Sequence, residues 1–358
     1  MSEELPPRES LIFTSWNRAF SQIDPEFKLG CPRMIGLDYS SIEASLHHYR
    51  SITAGQIAHL KSLLQNSYHP KDSKQNLFVA ASTVPITPFP EILYSLLLNI
   101  PIICRIPANY SLDFYNYFLS KFDGSLQSQV QFLHWNSKDA ETTKAMLSQI
   151  DCLIVHGDDS TIKQLSALAE GKRVLAFGHK IAFALYDLAE LEGNAEMESL
   201  IQALLQDLIP FGQSGCMSPQ VVYLLNSNQH QLQSFGKRLN IAIQEAHICC
   251  SPAQSFNKQS MLEDALIQDL EVFGNSVILS SSKEFEYSSG GGLIRLKAID
   301  ELTELTNCLG KLSQRISCIG HKLTPSSTKQ LSNLFPAARL CAPGLMQLPD
   351  ITYLQPVK

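Results

Sequence analysis

Charge is scarce in this 358-residue sequence: Asp, Glu, Lys and Arg make up 17% of it, and the formal net charge is −6. There is no basic tract and no acidic tail, which counts against nucleic acid or an anionic membrane as the main partner. An acidic small ligand is not excluded, because a cofactor phosphate needs only a few local donors. C-x-x-C pairs are missing too, and the nine cysteines are odd in number and irregularly spaced. Secreted disulfide frameworks do not look like this; a reducing, cytoplasmic setting is expected. No apolar run is long enough to span a bilayer. The most apolar stretch, Leu77 to Ala108, is broken by Pro85, Pro88, Pro90, Pro101 and Pro107, and reads as buried strands and a helix. Residues 1–20 carry Glu3, Glu4, Pro6 and Pro7 and no continuous apolar core, so no signal peptide is expected there. The glycine signatures G-x-x-x-x-G-K-[ST] and G-x-G-x-x-G are absent. Ser289-Gly290-Gly291-Gly292 precedes a strand instead of opening a helix, and reads as a tight turn more readily than as a phosphate loop. His47–His48 and Cys249–Cys250 fall in predicted helices, where neighbours point about 100° apart, so no metal site is expected.

What the sequence does have is alternation. Hydrophobic residues make up 44% of it, and the length suffices for two domains with their own cores. Strands are predicted at Leu77–Ala81, Pro101–Ile106, Val130–Leu133, Cys152–Val155 and Arg173–Phe177. Helices are predicted between them at Phe89–Asn99, Leu112–Lys121, Lys138–Gln149 and Thr161–Ala169. Residues 1–75 look mainly helical around Ile42–Gln65. After a break within 178–195 the pattern restarts, with helices at Glu196–Leu208, Gln229–Ala246, Ser260–Val272 and Asp300–Leu312. The strands of this half are Val221–Leu225, Ser276–Ser280, Leu293–Leu296, Ile316–Ile319 and Ala338–Cys341. The fold class is therefore α/β: two domains, 1–180 and 181–358, with mostly parallel sheets.

One cysteine stands apart. Phe211-Gly212-Gln213-Ser214-Gly215-Cys216-Met217-Ser218-Pro219-Gln220 lies between a predicted helix and a predicted strand. A glycine-bearing loop there can turn backbone amides toward the thiol. Those amides favour the thiolate, the true nucleophile, and stabilise the oxyanion of a tetrahedral intermediate. The competing reading is a buried, inert cysteine.

Gly212-Gln213-x-x-Cys216 resembles the nucleophile segment of the aldehyde dehydrogenase superfamily, and Gln213 to Gln220 resembles that of the long-chain acyl-CoA reductases (LuxC-like), which form fatty aldehydes. Asp151 to Asp159, Val174 to Phe183 and Ala338 to Pro349 follow as similar segments in the expected order; the last is the family's closing motif. The resemblance implies an aldehyde dehydrogenase-like fold with a Rossmann-like NAD(P)-binding domain (1–180, with an N-terminal helical segment) and a catalytic domain (181–358). It implies that Cys216 takes an acyl group from acyl-CoA, or from an acyl-carrier or acyl-protein thioester, and that NADPH reduces the thioester to an aldehyde. An acyl-activating partner enzyme and a homo-oligomer are expected by the same analogy.

Other residues follow by position. His179 stands where hydrolytic relatives carry a glutamate; it reads either as the acid–base group or as a structural residue of a turn. With no carboxylate there, water is not activated and a thioester on Cys216 survives to be reduced. Gly157 and Gly178 match glycine turns of the cofactor domain, Gly157 reading equally as a plain turn with Asp158 and Asp159 at the helix start. Arg105, without the superfamily's following carboxylate at Ala108 or Asn109, suits a 2′-phosphate and hence NADPH; its other reading is an ion-paired strand end. Ser82-Thr83-Val84-Pro85 replaces a glycine-asparagine-x-proline segment, so Thr83 is the candidate oxyanion donor and Pro85 a cofactor contact. The glutamate that holds the nicotinamide ribose finds no match around Ser288–Gly292. Two alternatives follow from these departures: a cysteine-dependent acyltransferase without hydride transfer, and a non-catalytic member that binds acyl chains or a partner.

Overall fold

The computed structural model describes residues 5–22, 46, 49, 52–67, 72–136, 139–191, 193–248 and 250–348. The chain divides into two compact units; over these residues the first runs through His179 and the second is Lys180–Leu348.

The first unit begins with helices α1 (Pro7–Ser21) and α2 (Ala54–Gln65). Thr53 and Gln56 start α2 with a reciprocal capping box. Five strands follow: β1 (Asn76–Val79), β2 (Ile102–Arg105), β3 (Val130–Leu133), β4 (Cys152–His156) and β5 (Arg173–Phe177). The intervening helices are α3 (Pro88–Leu98), α4 (Leu112–Leu119), the single turn α5 (Gly124–Gln127), α6 (Ala140–Ser148) and α7 (Asp159–Leu168). Every pairing is parallel, and the order is β3-β2-β1-β4-β5. The order reverses between β1 and β4, and α/β sheets receive ligands beyond the carboxyl ends of their strands at such a reversal. Aromatics fill one face: Trp16 and Phe20 from α1 pack on Phe118, and Phe89 from α3 meets Phe118 at 4.6 Å between centroids.

The second unit is a seven-stranded sheet, β12-β11-β6-β7-β10-β9-β8. Its strands are β6 (Ile181–Asp187), β7 (Pro219–Leu225), β8 (Glu271–Phe273), β9 (Val277–Leu279), β10 (Ile294–Ile299), β11 (Ile316–Lys322) and β12 (Arg339–Cys341). Its helices are α8 (Asn194–Leu208), α9 (Gln229–Ala246), α10 (Pro252–Ile267), α11 (Glu304–Leu309) and α12 (Pro325–Leu334). All pairings are parallel except β8 with β9. Side chains alternate between two cores. Ala184 and Tyr186 of β6 join Leu204, Leu208, Phe235 and Leu239 on one face, while Phe183 and Leu185 join Tyr223, Leu305, Leu331 and Phe335 on the other.

The strands expected from the sequence are present to within a few residues, but four features differ. β6 occupies the region read as a break; it is buried at all seven positions, and a continuous apolar run shows no alternation to reveal it. The helix expected at Ser260–Val272 starts at Pro252, capped by Ser251 and Gln254, and ends at Ile267. Only Leu262 and Ala265 of it are buried, too few for a periodic stripe, and the edge strand β8 follows. Within 300–312 the α-helix is only Glu304–Leu309, closed by Gly310. Helix α12, capped by Thr324, was not expected. Cys250 lies between α9 and α10 and not in a helix; His47, His48 and Cys249 lie outside the described residues.

A methyl group added at Gly236 of α9 would fall 2.5 Å from the Phe273 ring, whereas one at Gly55 of α2 meets nothing within 4 Å. Gly236→Ala is expected to destabilise the fold by about 1–3 kcal/mol through overpacking. In thermal melts Gly55→Ala should match or exceed the wild type; equal melting of both variants would contradict the packing described.

Candidate active site

The loop that carries Cys216 begins where α8 ends. Phe211, Gly212 and Gln213 all take left-handed backbone angles, with φ of 56°, 56° and 64°. Two of the three are not glycine, so the conformation is held from outside. Gln213 does this from within the core. Its Nε2 donates to Pro219 O at 2.8 Å and Leu293 O at 3.0 Å, and its Oε1 accepts from Gly292 N at 3.0 Å. Gly212 O accepts from Gly291 N at 2.9 Å and from Gln254 Nε2 at 3.0 Å, and the same Nε2 reaches Ser214 Oγ at 2.9 Å. The glycine-rich stretch is thus a turn with φ of 77°, 62° and 76° at Gly290, Gly291 and Gly292, docked against the nucleophile loop.

Cys216 itself is exposed. The density of surrounding protein pushes its thiol above the ordinary value, although solvent reaches its surface. Its own backbone N–H and the charges of Lys180 and Arg339 act in the opposite direction, toward thiolate. The Ser317 hydroxyl of β11 lies 2.6 Å from Cys216 O and 3.0 Å from Ile181 O, and the shorter contact takes its single hydrogen. The lowering contributions only partly offset desolvation, so the net shift of the thiol is upward. Unlike Cys104 and Cys152, which are buried, Cys216 has a solvent-exposed surface.

In the first unit the parallel sheet brings the remaining candidates to its carboxyl edge. Thr83 and Pro85 follow β1, Arg105 ends β2, Gly157 follows β4, and Gly178 and His179 follow β5. Thr83 is exposed in a turn anchored through Ser82 O, which accepts from Tyr110 Oη at 2.7 Å and Asn109 Nδ2 at 3.2 Å. Pro85 is buried, its carbonyl accepting from Tyr115 Oη at 2.8 Å. His179 is exposed. Arg105 is half-buried; one terminal nitrogen donates to Trp135 O at 3.2 Å and the guanidinium lies 5.7 Å from the Trp135 ring centre. Desolvation lowers its pKa, and its Nε has no hydrogen-bond partner among the described residues. Asp158 caps α7, accepting from Thr161 N at 2.6 Å, and Asp159 is the first residue of that helix. The cap carboxylate already occupies that helix end, so a phosphate has no place directly against it.

The sequence pattern of the acyl-CoA reductase (LuxC) family matches residues 65–350. The chain belongs to this family. It is an oxidoreductase acting on acyl groups, and its fold is that of the aldehyde dehydrogenases. Aldehyde dehydrogenase 21 of Physcomitrella patens, solved with its reaction product succinate, is 10% identical, with a TM-score of 0.71 over 94% of this chain and 78% of that one. A proposed methylmalonate-semialdehyde dehydrogenase of Sinorhizobium meliloti, complexed with NAD, is 9% identical with a TM-score of 0.71, covering 95% and 78%. An NADP-dependent enzyme of E. coli is 10% identical with a TM-score of 0.68, covering 95% and 78%. No curated protein sequence matches the chain.

Sequence reasoning singled out Cys216 but gave no role to the polar residues Gln213, Gln254 and Ser317 that hold its loop, or to Asp207. Asp207 of α8 is buried and accepts from Gly344 N and Met346 N, each at 2.7 Å, which fastens the closing motif. Burial outweighs these donors and pushes its carboxyl up to about 7. The folded chain therefore keeps a proton that the unfolded chain releases near 3.8. The stability tied to that proton is full below this value and is lost as pH rises to about 7. In urea titrations Asp207→Asn should flatten the decline in stability across this window. An unchanged pH slope in the variant would show that the carboxyl is not the titrating group.

Proposed function

We propose that the protein reduces acyl-CoA, or an acyl-carrier or acyl-protein thioester, to an aldehyde through an acyl group carried on Cys216, with NADPH as the reductant. The observation that carries this reading is the exposed Cys216, fixed between Ser317 and the Gln213 clamp with its own N–H turned to the sulfur. The thiolate attacks the thioester carbonyl, the Cys216 N–H is the candidate donor to the oxyanion, and the donor thiolate leaves. A nicotinamide cofactor, when bound, supplies the hydride that converts the acyl carbon to the aldehyde as Cys216 departs as thiolate. His179 is the candidate to hold or deliver a proton during these steps. The absence of a carboxylate at Phe177-Gly178-His179 keeps water from being activated against the thioester.

The residues of the first unit, read as the cofactor domain, fit such a dinucleotide. The reversal between β1 and β4 is where α/β sheets take dinucleotides. Arg105 Nε is buried without a hydrogen-bond partner among the described residues, and a cation with Ala108 and Asn109 in place of a following carboxylate favours a 2′-phosphate. Gly157 is not at positive φ, and a Cβ there would make only ordinary contact with Thr161 at 3.4 Å. The fold does not itself require glycine there, which supports a close approach of cofactor to the backbone. Gly178 and Pro85 border the same edge.

Intact-mass spectrometry on protein mixed with acyl-CoA, then with NADPH, tests the reading. An adduct on Cys216, lost on adding NADPH as aldehyde appears and absent in Cys216→Ala, is expected. An adduct indifferent to NADPH and NADH identifies an acyltransferase instead, and no adduct with any thioester identifies a non-catalytic binding protein. Gly157→Ala is expected to melt like the wild type while binding NADPH about tenfold more weakly, roughly 1.4 kcal/mol. Equal NADPH affinity in the two proteins would remove Gly157 from the cofactor site.

A further inference from the structure

Of the closing motif, Ala338 to Pro349, only the charge of Arg339 has entered the argument so far, yet its described residues end against the Cys216 loop. Three groups fasten it. The Asp207 carboxylate takes the Gly344 and Met346 amides. The Arg339 guanidinium donates to Leu345 O at 3.1 Å and to Met346 O. Met346 is fully buried against Gly320, where an added Cβ would fall 2.6 Å from its sulfur. These contacts leave Gln347 little freedom. Its Nε2 donates to Ser218 Oγ at 2.7 Å and lies 3.3 Å from Asp207 O. Its Oε1 sits over Gly215, so that a Cβ there would be 3.1 Å from Oε1 and 3.3 Å from Ser218 Oγ.

We infer that Gln347 is a positioning residue for Cys216, fixing the Gly215–Cys216 peptide so that its N–H faces the sulfur and the developing oxyanion. This deepens the reading of Cys216 as nucleophile and rests on it. The carbonyl of this peptide, Gly215 O, accepts from Ser218 N at 2.9 Å, and the carbonyl of the next one, Cys216 O, accepts from Ser317 Oγ at 2.6 Å. Neither bond prevents the peptide plane from tipping about the line between them. The Gln347 amide, pressed on Gly215 and bonded to the buried Ser218 hydroxyl, blocks that tilt. Without it the Cys216 N–H turns away from the sulfur, and both the thiolate and the tetrahedral oxyanion lose a donor.

The test is alkylation of Cys216 by iodoacetamide in the full chain across a pH series, read on the peptide that contains Cys216 by mass spectrometry, with thermal melts run alongside. In Gln347→Ala the rate at neutral pH is expected to fall about fivefold and the pH midpoint of the reaction to rise, because thiolate reactivity follows the donors around sulfur. Ser218→Ala combined with Gln347→Ala should be no slower than the slower single variant, since both remove one contact. An unchanged rate and midpoint in folded Gln347→Ala overturns the inference. Should Gln347→Ala fail to fold, Gly215→Ala presses on the same amide from the loop side and carries the same expectation and the same refutation. Alkylation needs no acyl donor, so its result is separable from whether acyl-CoA loads Cys216.

Discussion

The buried amide of Gln213 is the interaction on which the rest of the Cys216 loop depends. Left-handed angles at Phe211, Gly212 and Gln213 are unfavourable for two of those residues, and no local capping group compensates for them. One side chain does, by bonding the start of β7 through Pro219 O and the turn before β10 through Leu293 O and Gly292 N. β7 and β10 are parallel neighbours, so the clamp bonds to the entrances of two adjacent strands. A buried glutamine with its amide satisfied on both sides is a rigid anchor, because any movement leaves polar groups unpaired in the core.

The two sheets use opposite edges. In the first unit every candidate residue lies at the carboxyl ends of parallel strands, in a sheet whose order reverses between β1 and β4. In the second, Cys216 precedes β7 and so stands at an amino edge, where strands converge on the loop from below. No helix dipole is available there from a following helix, and the loop relies on side-chain amides, a serine hydroxyl and two cations. The Cys216 thiol is consequently tuned by several weak donors opposing desolvation, not by one strong ion pair.

Much of this was legible from the sequence. Strand–helix alternation reveals the α/β fold, because half-buried helices and short β-branched strands have different periods. The cysteine loop was legible because glycines and a proline surround Cys216 between two such elements. What stayed hidden is non-local or unpatterned. β6 is apolar at nearly every position and shows no period. α10 shows too little burial to carry a stripe. Apart from the bond of Gln213 to Pro219, six residues on, the roles of Gln213, Asp207 and Gln347 come from partners 79 to 140 residues away, and no local spacing encodes those. The closing motif could be seen as a string but not as a support.

The separation of Ser218 from Gln347, 129 residues, has a further consequence. During synthesis the nucleophile emerges long before the segment that braces it, and the strand bearing Ser317 also comes about a hundred residues later, the separation being 101. A nascent chain thus carries the Cys216 thiol for an interval without these contacts. Contacts of such high sequence separation form late in folding. A partly folded chain therefore holds Cys216 without the Ser317 and Gln347 contacts to its loop, and only the finished second unit holds that loop in a fixed place.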